Sequence, residues 1–466
     1  LKLQTEAYRD KVLGCWMGKN IGGTLGEPFE WYRQINDVDF YTQDLQGEPL
    51  ANDDLDIQLL WLIALEEQGL GLDSRQLAEY WMLYVTPHWA EYGNAKINMR
   101  AGMMPPLSGM INNDYKHSCG AFIRSEIWAC LFPGAPWLAA KYAYEDAIID
   151  HGDGEGVFAE IFTASLESAA FVEADLNTLI AIGLSYIPQD SGVAQAVKLV
   201  QDSYEEGVSW LEARDRLLTE YRGRCHFGRD DRISERDKEL GFASGRLGWD
   251  APSNIGILVI GLLWGDGDFD QTLCTAVNCG EDTDCTAATL GSIWGIIHGM
   301  EAIPERWVEP IGRSIKTACL NLGELGHYGG QIPATVDELT DRIAAMASQA
   351  AMHFEGEMAM GAHSLYAGSF INQLYANCGQ PVFRFGFFDV AVEYSGGPYI
   401  SAGQPKTVKL SIENRYKVQE IIQVRWYCPE GWTVWPSPIS QVFVAQRGLQ
   451  EHRRTVEFTI QAHEVP

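Results

Sequence analysis

The spacing of the apolar residues changes once along the chain, and that change constrains the fold more than any other feature. From Thr5 to about His353 apolar side chains recur at helical spacing: Val12, Leu13, Trp16 and Met17 form one stripe, and Leu59, Leu60 and Ile63 another. A helix that buries one face against a core has this pattern. After about Cys378 the period becomes two: Val408, Leu410 and Ile412 alternate with Lys409 and Ser411, and Val456, Phe458 and Ile460 with Glu457 and Thr459. Strands with one buried face read this way. Turn signals at Gly396-Gly397-Pro398, Gly403-Gln404-Pro405 and Pro429-Glu430-Gly431 cut the tail into short pieces. The sequence therefore predicts a mainly α chain, with a compact all-α domain over 1–354, a connection over 355–380 and a small all-β sandwich over 381–466.

Within the helical part, Leu176 to Tyr186, Val193 to Tyr204 and Trp210 to Tyr221 read as further helices, and Phe158, Ile161, Phe162, Ser165 and Ala169 share one face. Gly14, Gly18 and Gly22 lie four apart on the first helix and leave a flat strip that another backbone can approach closely. A length of 466 residues allows two domains, and 46% hydrophobic residues with 15 Trp argue for packed globular structure. With 34 Lys plus Arg against 63 Asp plus Glu, the net charge of -29 repels phosphate backbones and anionic head groups, so nucleic acid is not an expected partner. The longest apolar stretch, near Ile255 to Trp264, is about half of the roughly 20 residues a bilayer requires, so no membrane partner is expected either. Ten cysteines, Cys225 among them, include no C-x-x-C pair, which fits buried thiols in a reduced, cytoplasmic compartment. Numbering begins at Leu1, and removal of a leader would leave localisation open.

Two acidic clusters stand directly before helical patterns. Asn52-Asp53-Asp54-Leu55-Asp56 precedes Gln58 to Leu65, and Asn278-Cys279-Gly280-Glu281-Asp282-Thr283-Asp284-Cys285 precedes a small-residue helix from Thr286 to Met300. Helix capping explains either cluster alone, because acidic side chains there meet unpaired N–H groups and the positive end of the dipole. Brought together by the fold, the two would crowd carboxylates that repel one another without protons or a metal ion. Three glycine-containing loops also enter or leave helices: Gly22 through Glu30 and Trp31, Ser118 through Arg124, and His151 through Gly156. Such entrances offer backbone N–H groups to anions or sugar hydroxyls, and solvent-facing turns look the same. Asp266, Asp268 and Asp270 imitate a calcium loop, yet Gln271 and Val277 stand where glycine and glutamate are needed. His117, His151, His226 and His298 form no H-x-x-x-H pair, and no G-x-S-x-G elbow occurs.

Taken in order, these clusters resemble the ADP-ribosylglycohydrolase family, which includes ADP-ribosyl-acceptor hydrolases and dinitrogenase reductase activating glycohydrolases. The family's glycine-rich opening helix and glutamate look like Gly14 through Glu30, its Thr-Asp-Asp motif falls on Asn52-Asp53-Asp54, its Met-Arg segment looks like Ser118 through Arg124, and its late Gly-Asp-x-Asp-Thr motif falls on Glu281 through Cys285. The resemblance spans roughly residues 5 to 350. It implies an all-α domain around a two-magnesium centre, with Asn52, Asp53, Asp54, Asp282 and Asp284 as metal ligands and Glu30 as a catalytic carboxylate beside them. Ser118, Gly120, Arg124 and His151 become substrate-binding residues, and Glu155 a second acid or base. The implied reaction is hydrolysis of a glycosidic bond in an ADP-ribosyl or related glycosyl compound, small or protein-attached, through an oxocarbenium-like transition state. Four departures bear on the centre: Asn52 and Cys285 replace threonines, Glu281 replaces glycine, and the His151 loop differs from the family's threonine-histidine element.

The tail, with Trp426, Trp432 and Trp435, resembles the immunoglobulin-like modules of carbohydrate-active enzymes, where Trp either stacks on sugars or fills the sandwich core. Two other classes compete with an enzyme: a non-catalytic sugar- or nucleotide-binding protein on the same scaffold, and a structural helical protein whose acidic junctions are caps. Oligomeric state does not follow from the sequence.

Overall fold

The computed structural model describes residues 5–30, 32–222, 235–239, 248–321, 331–355 and 365–465. Trp31, Cys225, His226 and part of the expected connection lie outside the described residues. The chain divides into two compact units, Leu1–Leu374 and Tyr375–Pro466.

The first unit is helical, and its central feature follows from the glycine strip. The first helix, Thr5–Gly26, runs antiparallel to Thr283–His298. A Cβ on Gly18 would lie 2.0 Å from the Gly291 carbonyl oxygen, one on Gly22 2.0 Å from that of Ala287, and one on Gly26 2.3 Å from that of Thr283. The two backbones touch with no room for a methyl group, so small residues set the separation. This contact fixes the end of one helix against the start of the other, where Thr283 Oγ1 donates to the Gly26 carbonyl at 2.8 Å. The expected helices appear as Leu176–Ser185, Gly192–Glu205 and Trp210–Tyr221, capped by the side chains of Asp175, Ser191 and Ser209.

The helix Asp53–Gln68 lies inside the unit, with every residue from Asp54 to Leu65 buried. Within it Gln58 Nε2 donates to Glu126 Oε2 at 2.8 Å, and the other Glu126 oxygen accepts from Lys19 Nζ at 2.8 Å. Trp16, Trp61, Trp81, Trp128 and Trp307 are fully buried around this interior. Among the described residues no helix is long and apolar enough to cross a membrane, and none of the described cysteines is in a disulfide.

The second unit contains strands β1 (Val382–Arg384), β2 (Phe388–Tyr394), β3 (Pro405–Asn414), β4 (Glu420–Arg425), β5 (Thr433–Trp435), β6 (Ile439–Val444) and β7 (Arg453–Gln461). They pair antiparallel as a five-stranded sheet in the order β1-β2-β3-β7-β5 and a second sheet of β4 and β6. Val408 opposes Phe458 and Leu410 opposes Val392 in one core cluster with Ile460, whereas Ile412 is buried in a second cluster with Val442 and Val444. Trp426 and Trp432 pack against the first cluster, whereas Trp435 is 72% exposed.

Candidate metal centre and substrate cavity

The two acidic helix starts meet. Asn52 caps Asp53–Gln68 by accepting the Asp54 N–H at 2.8 Å, and its Nδ2 donates to Asp284 Oδ2 at 2.9 Å, so one amide ties together the two clusters. Gly280 and Glu281 both adopt positive φ, 75° and 69°, and turn the chain sharply before Asp282. Asp282 is the N-cap residue of Thr283–His298 but makes no side-chain cap bond. Its Oδ2 instead accepts from Cys119 Sγ at 2.7 Å, and Cys285 Sγ donates to Asp54 Oδ1 at 3.4 Å.

The remaining carboxylate oxygens decide what the site can hold. Asp54 Oδ2, Asp282 Oδ1 and Asp284 Oδ1 are buried without a hydrogen-bond partner. Burial, reinforced by Asp284, raises the Asp53 carboxyl to about 6, and burial pushes Asp54 and Asp282 well above the usual carboxylate range. Unpaired buried oxygens carry an uncompensated desolvation cost that protons or a cation would relieve. Ligand atoms lie within 4.8 Å of one another in three overlapping sets here: Asp54, Asp284 and Cys285; Glu30, Asp282 and Asp284; and Cys119, Asp282 and Cys285. The carboxylates fit a hard divalent cation.

Beside them is a cavity of about 260 Å³ whose wall includes Glu30, Asp53, Asp282 and Asp284 on one side and Ser118 and Gly120 on another. That volume approaches the smaller ligand sites, of about 300 Å³. Six of the sequence-derived residues therefore line one cavity, with Asp54 and Asn52 immediately beside it. Three others are placed differently. Arg124 is fully buried and its guanidinium is consumed by Asp146 at 2.8 Å, Asp150 at 2.7 Å and the Gly120 carbonyl at 2.7 Å, so it braces the loop from behind. His151 lies behind Ser118, with Nε2 3.1 Å from Ser118 Oγ and Nδ1 2.8 Å from Asp150 Oδ1. Glu155 caps another helix, accepting the Gly192 and Val193 N–H groups at 2.9 Å each, and does not line the cavity.

Sequence reasoning missed Trp89, Glu91, Tyr92 and Trp249, which complete the wall. The helix Ala90–Arg100 carries two of them. Tyr92 Oη donates to Asp53 Oδ2 at 3.3 Å, and burial raises the Glu91 carboxyl above its ordinary range. No motif marks the segment in the sequence, and the exposure of Trp89 just before this helix is visible only in the structure.

A profile of the family described as ADP-ribosylglycohydrolase matches residues 4–350. A protein of Archaeoglobus fulgidus described as "Uncharacterized protein" is 35% identical over 315 residues, which make up 64% of this chain and 91% of that one. A solved chain described as "ADP-ribosylglycohydrolase-related protein complex" aligns with 73% of this chain and 99% of its own length, at 17% identity and a TM-score of 0.49.

Proposed function

The chain belongs to the ADP-ribosylglycohydrolase family, and from that premise we propose that it is a magnesium-dependent hydrolase of a glycosidic bond, acting on an ADP-ribosyl or related glycosyl compound. The observation that carries this reading is the set of three buried oxygens, on Asp54, Asp282 and Asp284, that have no hydrogen-bond partner and sit beside a ligand-sized cavity. Helix caps point their oxygens at backbone N–H groups, and these do not.

Asp53, Asp54, Asp282 and Asp284 would hold two magnesium ions, with Asn52 offering the remaining lone pair of its carbonyl oxygen. When bound, the ions supply positive charge that fixes sugar hydroxyls and offsets negative charge developing at oxygen. Asn52 keeps Asp284 oriented and Tyr92 keeps Asp53 oriented. Glu30, half-buried in the cavity wall, takes the proton of the attacking water. Glu91 replaces Glu155 as the second carboxyl facing the cavity. The aromatic side chains of Trp89, Tyr92 and Trp249 in the wall offer stacking faces to a ring.

One feature favours a glycosyl compound other than ADP-ribose. Among the described residues the cavity wall has no Lys or Arg, and the guanidinium of Arg124 is already occupied, so a diphosphate finds no cationic side chain among these residues. Calorimetric titration of magnesium into chelator-stripped protein, with and without ADP-ribose, tests both parts. Binding that ADP-ribose strengthens supports the ADP-ribosyl substrate, and binding indifferent to it directs the search to a glycoside panel. Absence of magnesium binding overturns the proposal.

A further inference from the structure

The acidic centre has a soft side. Cys119 and Cys285 stand at its wall, both buried, and their sulfur atoms lie with an Asp282 oxygen inside a sphere of mutual distances under 4.8 Å. They come from separate elements: Cys119 from the loop whose N–H donates to the Trp249 carbonyl at 2.8 Å, and Cys285 from the first turn of Thr283–His298. Each thiol donates to an aspartate, Cys119 to Asp282 and Cys285 to Asp54, while the second oxygen of each aspartate has no hydrogen-bond partner. Two thiols and the Asp282 carboxylate thus converge, Cys285 also stands in the neighbouring set with Asp54 and Asp284, and all of these side chains are buried.

Magnesium binds thiolate poorly, whereas zinc binds sulfur and oxygen together in a tetrahedral shell. We infer that one of the two metal positions, bounded by Cys119, Asp282 and Cys285, takes a thiophilic divalent cation of the zinc type in place of magnesium, leaving to magnesium the oxygen-only position where Glu30, Asp282 and Asp284 come together. This inference rests on the reading of the site as a metal centre and specifies which cation each side of it selects. Two sulfurs and one carboxylate oxygen supply three protein ligands, and a water or substrate oxygen would complete the fourth, the ligand count of catalytic zinc sites. On binding, each coordinating thiol gives its proton to solvent and no electrons are exchanged.

Zinc has no visible spectrum, so cobalt(II) is the probe. Chelator-stripped full-length protein under reducing conditions is titrated with cobalt(II) and followed by near-ultraviolet absorption. A thiolate-to-cobalt charge-transfer band that saturates at one equivalent is expected, removed by stoichiometric zinc and retained at about a 100-fold excess of magnesium. Cys119→Ser combined with Cys285→Thr should abolish the band and leave calorimetric magnesium binding intact. The unsubstituted protein alone decides the matter if that double variant does not fold. Cobalt binding without the band, or a band that magnesium displaces as readily as zinc does, overturns the inference while leaving the magnesium centre standing. Absence of any divalent binding overturns both.

Discussion

Asp268 and Asp282 are N-cap residues of consecutive helices, Phe269–Cys279 and Thr283–His298, and they do opposite things. Asp268 is exposed and accepts the Gln271 N–H at 2.9 Å, closing its own helix. Asp282 is buried, makes no cap bond and turns its carboxylate toward Cys119 and the cavity. A side chain that could satisfy its own helix but does not must find its compensation elsewhere, and at Asp282 one oxygen has no protein partner at all. Its surroundings repeat the signal, because Asn52 performs the capping at the other acidic helix start, where Asp53 lines the cavity and Asp54 keeps a buried oxygen without a hydrogen-bond partner.

The hardest blow to this contrast comes from Asp284→Ala or Asp54→Ala. Each should weaken magnesium binding by more than about 100-fold, above the range typical of residues that only support ligands, and abolish turnover while circular dichroism stays unchanged. Normal affinity in either variant would make the buried start a cap like the exposed one. Glu30→Gln comes next: a rate loss of about 100-fold with metal affinity nearly constant marks it as the base, whereas equal losses in both make it a ligand.

Asn52→Ser separates the two duties of one amide. Serine keeps a cap, but its single short hydroxyl replaces an amide whose Oδ1 caps while its Nδ2 holds Asp284, so magnesium affinity should fall by about 10- to 100-fold with little change in melting temperature. A fall in melting temperature with unchanged affinity would reverse the assignment. Gly22→Ala probes the scaffold beneath both acidic starts. Its methyl group would lie 2.0 Å from the Ala287 carbonyl oxygen. Loss of about 1–3 kcal/mol by denaturant titration is expected, with metal affinity falling as well because the start of Thr283–His298 is displaced. Retained stability would show that the helix pair is looser than its backbone contact implies.

These contrasts also mark what the sequence made legible. The glycine strip at Gly14, Gly18 and Gly22 announced a close helix contact because no side chain stands in the way, and the structure places Gly295, Gly291 and Ala287 there. The period-two tail announced strands because alternation sorts side chains to opposite faces, and Val408, Leu410 and Ile412 are buried as that pattern requires. Side-chain direction was not legible. Aspartate before a helix has the same one-letter pattern whether it caps, as at Asp268, or faces a cavity, as at Asp282. Arg124 and Glu155 have residue types suited to a polyphosphate or a proton, but long-range partners that no local pattern encodes consume their polar atoms: Asp146 and Asp150 for one, the N–H groups of Gly192 and Val193 for the other. Glu91 and Tyr92 went unread for the converse reason, since an unremarkable helix brings them to the wall.

The smallest effect is the sharpest control. Asp268→Ala removes an exposed cap bond and should cost about 1 kcal/mol of stability while leaving magnesium affinity untouched. Asp282→Ala should do the reverse in the metal-free protein: no cap bond is lost, a crowded buried carboxylate is removed, and stability should hold or rise even as magnesium binding disappears. Measured side by side by thermal melting and calorimetry, the two variants must part in opposite directions on the two axes. If Asp282→Ala instead loses about the same stability as Asp268→Ala and keeps its magnesium, the buried aspartate is serving its helix, and the crowding of carboxylates at the cavity is not the binding of a cation.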